Sequence, residues 1–346
     1  MNVANMIVPT ESPRRLTRWI NVLPVWAWAF LAHEFLIVLA FIVPYPYAPS
    51  AYVTSHQSFS PLAHFWFQWD SLWFIAIGHY GYAHLPGVPR LSGTAFFPWL
   101  PLLIHVVGVW GAWGLTQIAF AVALWLAHRV FRRLSLTGSQ AALATMLLAL
   151  NPAAVYFSTL YAEPWTMLFT LISVELGYRQ RWGLAAIAGF LTATTQATGI
   201  LVGLFPLVGF IGLVTLKKWQ DALGPLVWGI GCFLGIASYG VYLGIVFHHP
   251  LLFASTQHSR FWNTAWTWPW EQWWQGLRFA VIPNSVVPVR VALWIAITLG
   301  ILGAIMLGNV ERSSQRQSVA VVLYGIVGLG VSLAFAQPGW PPMLSG

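Results

Sequence analysis

Long apolar runs separated by short polar breaks dominate the chain. A helix needs about 20 apolar residues to cross a bilayer. Runs near that length predict helices over Trp19–Val43, Ser139–Phe157, Leu160–Tyr178, Leu184–Ile200, Leu201–Leu216, Leu223–Phe247, Val286–Leu307 and Ser318–Phe335. The stretch Leu184–Leu216 is short for two crossings, which predicts broken or tilted helices there. Between the first two runs lie Thr94–Trp110, which carries Pro98 and Pro101, and Ala112–Val130. These predict one full crossing, with the proline-containing half interfacial or partly inserted. Of two outer segments, the first, 44–93, is too apolar for a solvated loop and too interrupted for a span, and the second, 248–284, is rich in tryptophan. The pattern of the first suits short amphipathic helices at the interface, where Trp and Tyr prefer to sit. No internal repeat is visible. The expected architecture is all-α and polytopic, a single transmembrane domain over 1–346 with about nine spans.

Composition agrees with lipid as the solvent. Charged residues make up 7% of the 346 and hydrophobic residues 58%, against about 25% charged in soluble domains. The runs lack the alternation of barrel strands, which excludes a β-barrel. The net charge of +8 invites a nucleic-acid reading that the distribution of charges contradicts. Basic residues concentrate in Arg14/Arg15/Arg18, Arg129/Arg132/Arg133, Arg179/Arg181, Lys217/Lys218 and Arg312/Arg316, all between apolar runs. That is the positive-inside pattern of cytoplasmic loops. It puts the N-terminus inside, the C-terminus outside and both aromatic-rich segments on the outer face. The first apolar run is too long for a signal h-region and reads as an uncleaved span. Cys232 is the only cysteine, so no disulfide framework and no Cys-based metal site are expected.

Acids are scarce, and each one at membrane depth is a functional candidate because burying its charge is costly. Asp70 is one of two aspartates and lies in Gln68-Trp69-Asp70-Ser71-Leu72-Trp73-Phe74 on the outer side. Trp69 and Trp73, four apart, share a helix face that suits lipid or a sugar ring. Glu163 follows Tyr161 in a polar turn between two spans; it also stands ahead of Pro164, where it suits a helix start. Glu34 lies late in the first span beside His33, able either to enter the same cavity or to pair structurally. Glu175, four before Arg179, predicts a surface ion pair near the inner face. No His, Cys, Asp or Glu set has metal-ligand spacing, and no Gly-rich phosphate loop follows a strand.

Three motifs in order resemble the PIG-V-like mannosyltransferases of the GT-C superfamily, which include the enzyme adding the second mannose of GPI anchors. Trp69-Asp70 through Gly81-Tyr82 resembles the family's Trp-Asp…Gly-Tyr box. Ala95-Phe96-Phe97-Pro98-Trp99-Leu100-Pro101 is similar to its Phe-Phe-Pro box, and Asn151-Pro152 through Tyr161-Ala162-Glu163 to its Pro…Tyr-(Ser/Thr)-Glu box. The resemblance covers roughly residues 15–285, more loosely at Gln257, Trp262 and Pro269-Trp270. It implies a GT-C-like fold and transfer of a sugar, commonly mannose, from a polyprenyl-phosphate donor on the outer or lumenal face. Asp70 would then be the general base. Glu163, Trp69, Tyr161 and Glu34 would line the substrate site, and Arg260, Arg90 and His258 would face the lipid phosphate. Where relatives carry Thr-Arg-x-x-Gly this chain has Thr195-Gln196-Ala197-Thr198-Gly199, so Gln196 is a neutral substitute for a cation. The superfamily admits a divalent metal, but no ligand set is visible and no cofactor is expected.

The expected partners are the lipid-linked donor, the bilayer and a glycan, glycolipid or glycoprotein acceptor, with no nucleic acid. The expected location is the cell membrane, or the ER membrane in a eukaryote. Two other readings stand beside this one. A transporter or flippase of a lipid-linked substrate would use Glu34 and Glu163 as binding or relay groups. A non-catalytic partner subunit would account for Gln196 and for a chain ending at Gly346.

Overall fold

The computed structural model describes residues 23–42, 66–67, 70–85, 91–133, 136–150, 154–259, 262, 265–266, 271 and 335–336. These are helical apart from turns and one antiparallel pair of two-residue strands, β1 (Ala265–Trp266) with β2 (Phe335–Ala336). The helices are α1 (Val25–Ile42), α2 (Asp70–Tyr80), α3 (Trp99–Arg133), α4 (Gly138–Leu150), the single turn α5 (Val155–Ser158) and α6 (Glu163–Tyr178). They continue with α7 (Trp182–Thr195), α8 (Leu204–Thr215), α9 (Trp219–Phe247) and α10 (Leu252–Gln257).

Among the described residues, three helical stretches are long and apolar enough to cross a membrane: Trp99–Arg133, Ala197–Thr215 and Trp219–Phe247. In the second, a 3₁₀ turn, Ala197–Gly203, leads into α8, which is the broken helix expected of the short Leu184–Leu216 stretch. At 35 residues α3 is about 50 Å long, well beyond the roughly 30 Å hydrocarbon core. It breaks at Gly108, whose φ of 73° a residue with a Cβ rarely adopts. The proline-containing start is therefore angled against the remaining crossing. Large apolar side chains stand exposed along α1, α3 and α9, among them Phe35, Val106, Phe233 and Ile245. An apolar surface of that extent is rare on soluble monomers and natural against lipid tails.

Side-chain contacts fix the helix directions. Arg133 at the end of α3 and Arg179 just after α6 both pair with Glu175, so α3 and α6 run the same way. The Thr195 hydroxyl at the end of α7 lies 2.6 Å from that of Thr166 in the first turn of α6, so α7 runs back. α9 runs beside α7 in the same sense. A Cβ on Gly231 or Gly235 would come within 2.6 Å of Ala186 or 2.4 Å of the Phe190 carbonyl, so only glycine allows these backbones to meet. One end of the bundle thus gathers Arg132, Arg133, Arg179, Arg181, Lys217 and Lys218. The other gathers the start of α2, the start of α6, Gln196 and α10. The separation of basic turns from the aromatic end is the one the positive-inside pattern predicts.

Several expectations are corrected. The helix Asp70–Tyr80 is not amphipathic: every residue from Ser71 to Gly78 is buried. Its sequence is apolar on all sides, so it packs inward: Leu72 and Ile75 join Leu100 and Ile104 of α3, while Trp73 and Ile77 join Tyr239 and Leu243 of α9. The run Ser139–Phe157 is not one helix, since α4 ends at Leu150 and α5 is a separate turn. Glu175 is buried rather than at the surface, and it serves two arginines. Phe335, expected to end the last span, is extended in β2. The rest of that run, and Val286–Leu307, lie outside the described residues.

Candidate functional site

Asp70 is the first residue of α2. Its backbone N–H is one of the donors that a helix start leaves without an intrahelical acceptor, and it donates to the Tyr161 hydroxyl at 3.0 Å. Tyr161 is buried, its ring stacks on Tyr156 at 5.0 Å, and its edge meets Phe74 of α2. Among the described residues nothing donates to the Asp70 carboxylate and no arginine pairs with it. Burial without a compensating partner raises that carboxyl to about 6.

Glu163 opens α6, followed by Pro164 in the first turn, where a missing N–H costs nothing. The preceding Ala162 occupies the cap position and no side chain caps the helix. The Glu163 carboxylate lies close enough to Asp70 for the two charges to interact. Its Oε2 is sealed from solvent and has no hydrogen-bond partner, as are Ser71 Oγ and Trp99 Nε1. Buried polar atoms are nearly always paired in native structures. Six unpaired ones lie on α2, α3 and α6 among the described residues. Ser71 Oγ, Trp99 Nε1 and Glu163 Oε2, each in the first turn of its helix, are groups available to a bound molecule, while Gln117 Oε1, Thr170 Oγ1 and Tyr178 Oη lie further along α3 and α6.

An aromatic shelf flanks the start of α2. Trp73 stacks on Phe96 at 5.5 Å and lies 5.2 Å from Trp262, which also meets Phe96 at 5.5 Å. The shelf joins the first two motifs to the segment that carries Trp262. Tyr82, from the Gly-Tyr pair, donates its hydroxyl to the Phe96 carbonyl at 3.0 Å, and Tyr239 of α9 donates to the carbonyls of Thr94 and Phe96. α10 attaches through Thr256 to Thr94 at 2.8 Å, and Trp262 Nε1 donates to the Ser92 carbonyl at 3.0 Å. The Gly-Tyr and Phe-Phe-Pro residues therefore build the wall of the site and leave its polar chemistry to others.

The remaining candidates separate by position. Gln196 ends α7 in extended conformation at the Asp70 end of the bundle, half-buried, and its carbonyl accepts from Gly199 N–H. Gly199 is required there, because a Cβ would sit 2.1 Å from the Thr192 carbonyl oxygen. His258 follows α10 and is exposed. Glu34 does not join Asp70: its carboxylate accepts from Ser158 Oγ at 2.7 Å in α5. Trp69, Arg90 and Arg260 lie outside the described residues. Among the described residues no group of three or more His, Cys, Asp and Glu side chains could hold a metal ion. Two contributors escaped the sequence reading. The Tyr239 hydroxyl carried no signal, since it lies in an apolar run, and Ser158 is one of several small polar residues in the turn before Glu163, with nothing to single it out. No family model, curated protein or solved structure matches the chain.

Proposed function

We propose that this chain is a membrane-embedded glycosyltransferase with a GT-C-like fold of about nine spans. It moves a sugar, mannose by the motif resemblance, from a polyprenyl-phosphate donor to an acceptor hydroxyl on the outer or lumenal face. The observation that carries this reading is Asp70: half-buried, its carboxylate unpaired among the described residues, its backbone held by the Tyr161 hydroxyl, and within electrostatic reach of Glu163. A carboxyl raised to about 6 is ionised at neutral pH yet holds a proton better than an ordinary aspartate, which suits a general base.

In the proposed reaction Asp70 takes the proton of the acceptor hydroxyl as its oxygen bonds to the anomeric carbon. The bond from that carbon to the phosphate oxygen breaks, and the lipid phosphate leaves with the electron pair. Direct displacement inverts the anomeric configuration. The unpaired Glu163 Oε2 and Trp99 Nε1 are available to the sugar's hydroxyls, and the Trp73–Phe96–Trp262 shelf to its apolar edge. Phosphate neutralisation falls to Arg260, Arg90 and His258, with Gln196 contributing hydrogen bonds. A donor dissolved in the bilayer needs no nucleotide-binding domain.

The test is transfer from radiolabelled polyprenyl-phosphate-mannose by the purified full-length protein in nanodiscs, with D70N as comparison. Wild-type transfer and its loss in D70N support the reading. Undiminished turnover by D70N removes Asp70 as the base. With the protein reconstituted in sealed vesicles instead, movement of the donor across the bilayer without covalent change replaces the reading with a flippase.

A further inference from the structure

A second polar cluster lies deeper in the bundle, where the first span meets the turn before Tyr161. His33 Nδ1 is 2.8 Å from the Ala149 carbonyl at the end of α4, and its Nε2 is 2.6 Å from Ser158 Oγ. Ser158 Oγ is also 2.7 Å from Glu34 Oε1, while His33 Nε2 and Glu34 Oε1 are 3.8 Å apart. The Ser158 carbonyl accepts two further bonds from α3, from Trp113 Nε1 at 2.9 Å and Gln117 Nε2 at 2.8 Å. One residue thus ties α5 to α1 and α3, and through His33 to α4. His33 packs edge-on against Phe120 at 5.0 Å, and both His33 and Ser158 are buried. No other charged group among the described residues acts on His33 or Glu34.

Counting protons constrains this cluster. A carbonyl only accepts, so His33 Nδ1 must carry a hydrogen. Ser158 has one hydroxyl hydrogen for two contacts. If it goes to Glu34, then His33 Nε2 must donate to Ser158, giving an imidazolium and a carboxylate. If it goes to Nε2, then Glu34 must donate, giving a neutral imidazole and a carboxylic acid. Both arrangements hold the same number of protons and no net charge. A neutral imidazole with an ionised Glu34 would leave two lone pairs facing each other in one of the two short contacts. It would also leave an uncompensated charge among apolar helices.

We propose that His33, Ser158 and Glu34 form a net-neutral clamp that shares one proton and positions the turn carrying Tyr161. The link onward is short: Tyr161 N–H bonds the Thr159 carbonyl, and the Tyr161 hydroxyl holds the Asp70 backbone. The three are positioning residues and touch no substrate. The clamp rests on the geometry alone; its effect on turnover rests on the glycosyltransferase reading.

Glutamine at position 34 separates a net-neutral clamp from a contact that depends on an ionised Glu34. In E34Q the amide N–H donates to Ser158, which then donates to His33, so both bonds persist with no proton to share. E34A and S158A break them. For the full-length protein in nanodiscs, E34Q keeps the wild-type melting temperature and kcat. E34A and S158A melt several degrees lower and lose kcat about tenfold or more with little change in KM. The neutral-pH infrared difference between wild type and E34Q contains a protonated-carboxyl C=O band or an imidazolium ring mode. E34Q falling as far as E34A, or a difference showing only ionised carboxylate, overturns the clamp. If S158A does not accumulate, the E34Q and E34A pair decides. A wild type that transfers no sugar defeats the glycosyltransferase reading, while melting and infrared results still decide the clamp.

Discussion

The Asp70 backbone N–H and the Tyr161 hydroxyl meet at 3.0 Å although 91 positions separate them in the chain. The bond joins the start of α2 to the turn before α6. It uses a donor that the helix could not satisfy itself. It also brings the carboxylate of Asp70 within electrostatic reach of Glu163, so two acids far apart in sequence share one end of the bundle.

Tyr161→Phe keeps the ring packing on Tyr156 and Phe74 and removes only the oxygen that accepts from Asp70. An unpaired backbone donor in a half-buried place costs about 1–3 kcal/mol. A lower melting temperature is therefore expected, with a drop in sugar transfer larger than the loss of folded protein accounts for. Melting curves beside turnover per folded molecule check this. Wild-type values for both would make the bond incidental.

Gly199→Ala tests the turn that presents Gln196. The added methyl would sit 2.1 Å from the Thr192 carbonyl oxygen, a backbone atom that cannot step aside. Poor accumulation of folded protein is expected, with more than about 3 kcal/mol lost in any that folds. Gly114→Ala is the control, since nothing lies within 4 Å of a Cβ there. Size-exclusion profiles of the two variants in detergent give the comparison, and equal yields would contradict the packing.

Glu175→Gln addresses the opposite end. It removes a buried charge shared by Arg133 and Arg179, whose own side chains are 41% and 50% exposed and can turn to water. The cost is about 1–2 kcal/mol, without the penalty of stranding a buried cation. Transfer per folded molecule should not change, because the pair is at the basic end and the candidate site is not. A fall in kcat at unchanged folded yield would show coupling between the two ends.

The crossings were legible because a bilayer demands long apolar runs, and such runs announce themselves: Leu223–Phe247 was expected and Trp219–Phe247 is found. Basic clusters gave the sense of each helix for the same physical reason. Burial of α2 was less legible, although the evenly apolar Ser71–Gly78 argues for it once an interfacial helix is no longer assumed. Asp70 stood out by rarity, and Glu163 and Tyr161 by their place in an ordered motif. Ser158 could not stand out. Its partners Glu34 and His33 lie 124 and 125 positions away, and neither periodicity nor local spacing encodes a meeting of that kind.

Asp70 itself makes function and stability pull in opposite directions. Its carboxyl is raised from 3.8 in the free residue to about 6 by burial, so the folded state binds a proton more tightly than the unfolded chain does. The sign follows: the group favours folding at pH below about 4, and that contribution is lost as pH rises toward about 6. At pH 7 the half-buried carboxylate, unpaired among the described residues, is therefore a cost, of order 3 kcal/mol at most. Asp70→Asn removes the charge while keeping the shape and the backbone bond to Tyr161. The variant should melt at or above the wild-type temperature at pH 7, with the difference vanishing near pH 4, and should transfer no sugar. The wild-type rate should fall about tenfold per pH unit below about 6, as the base becomes protonated. Melting curves of both proteins across pH 4–7, with wild-type initial rates over the same range, test the two halves together. An Asn variant less stable at pH 7 would mean that the carboxylate has a partner in the folded protein, and a flat rate profile would mean that it is not the base.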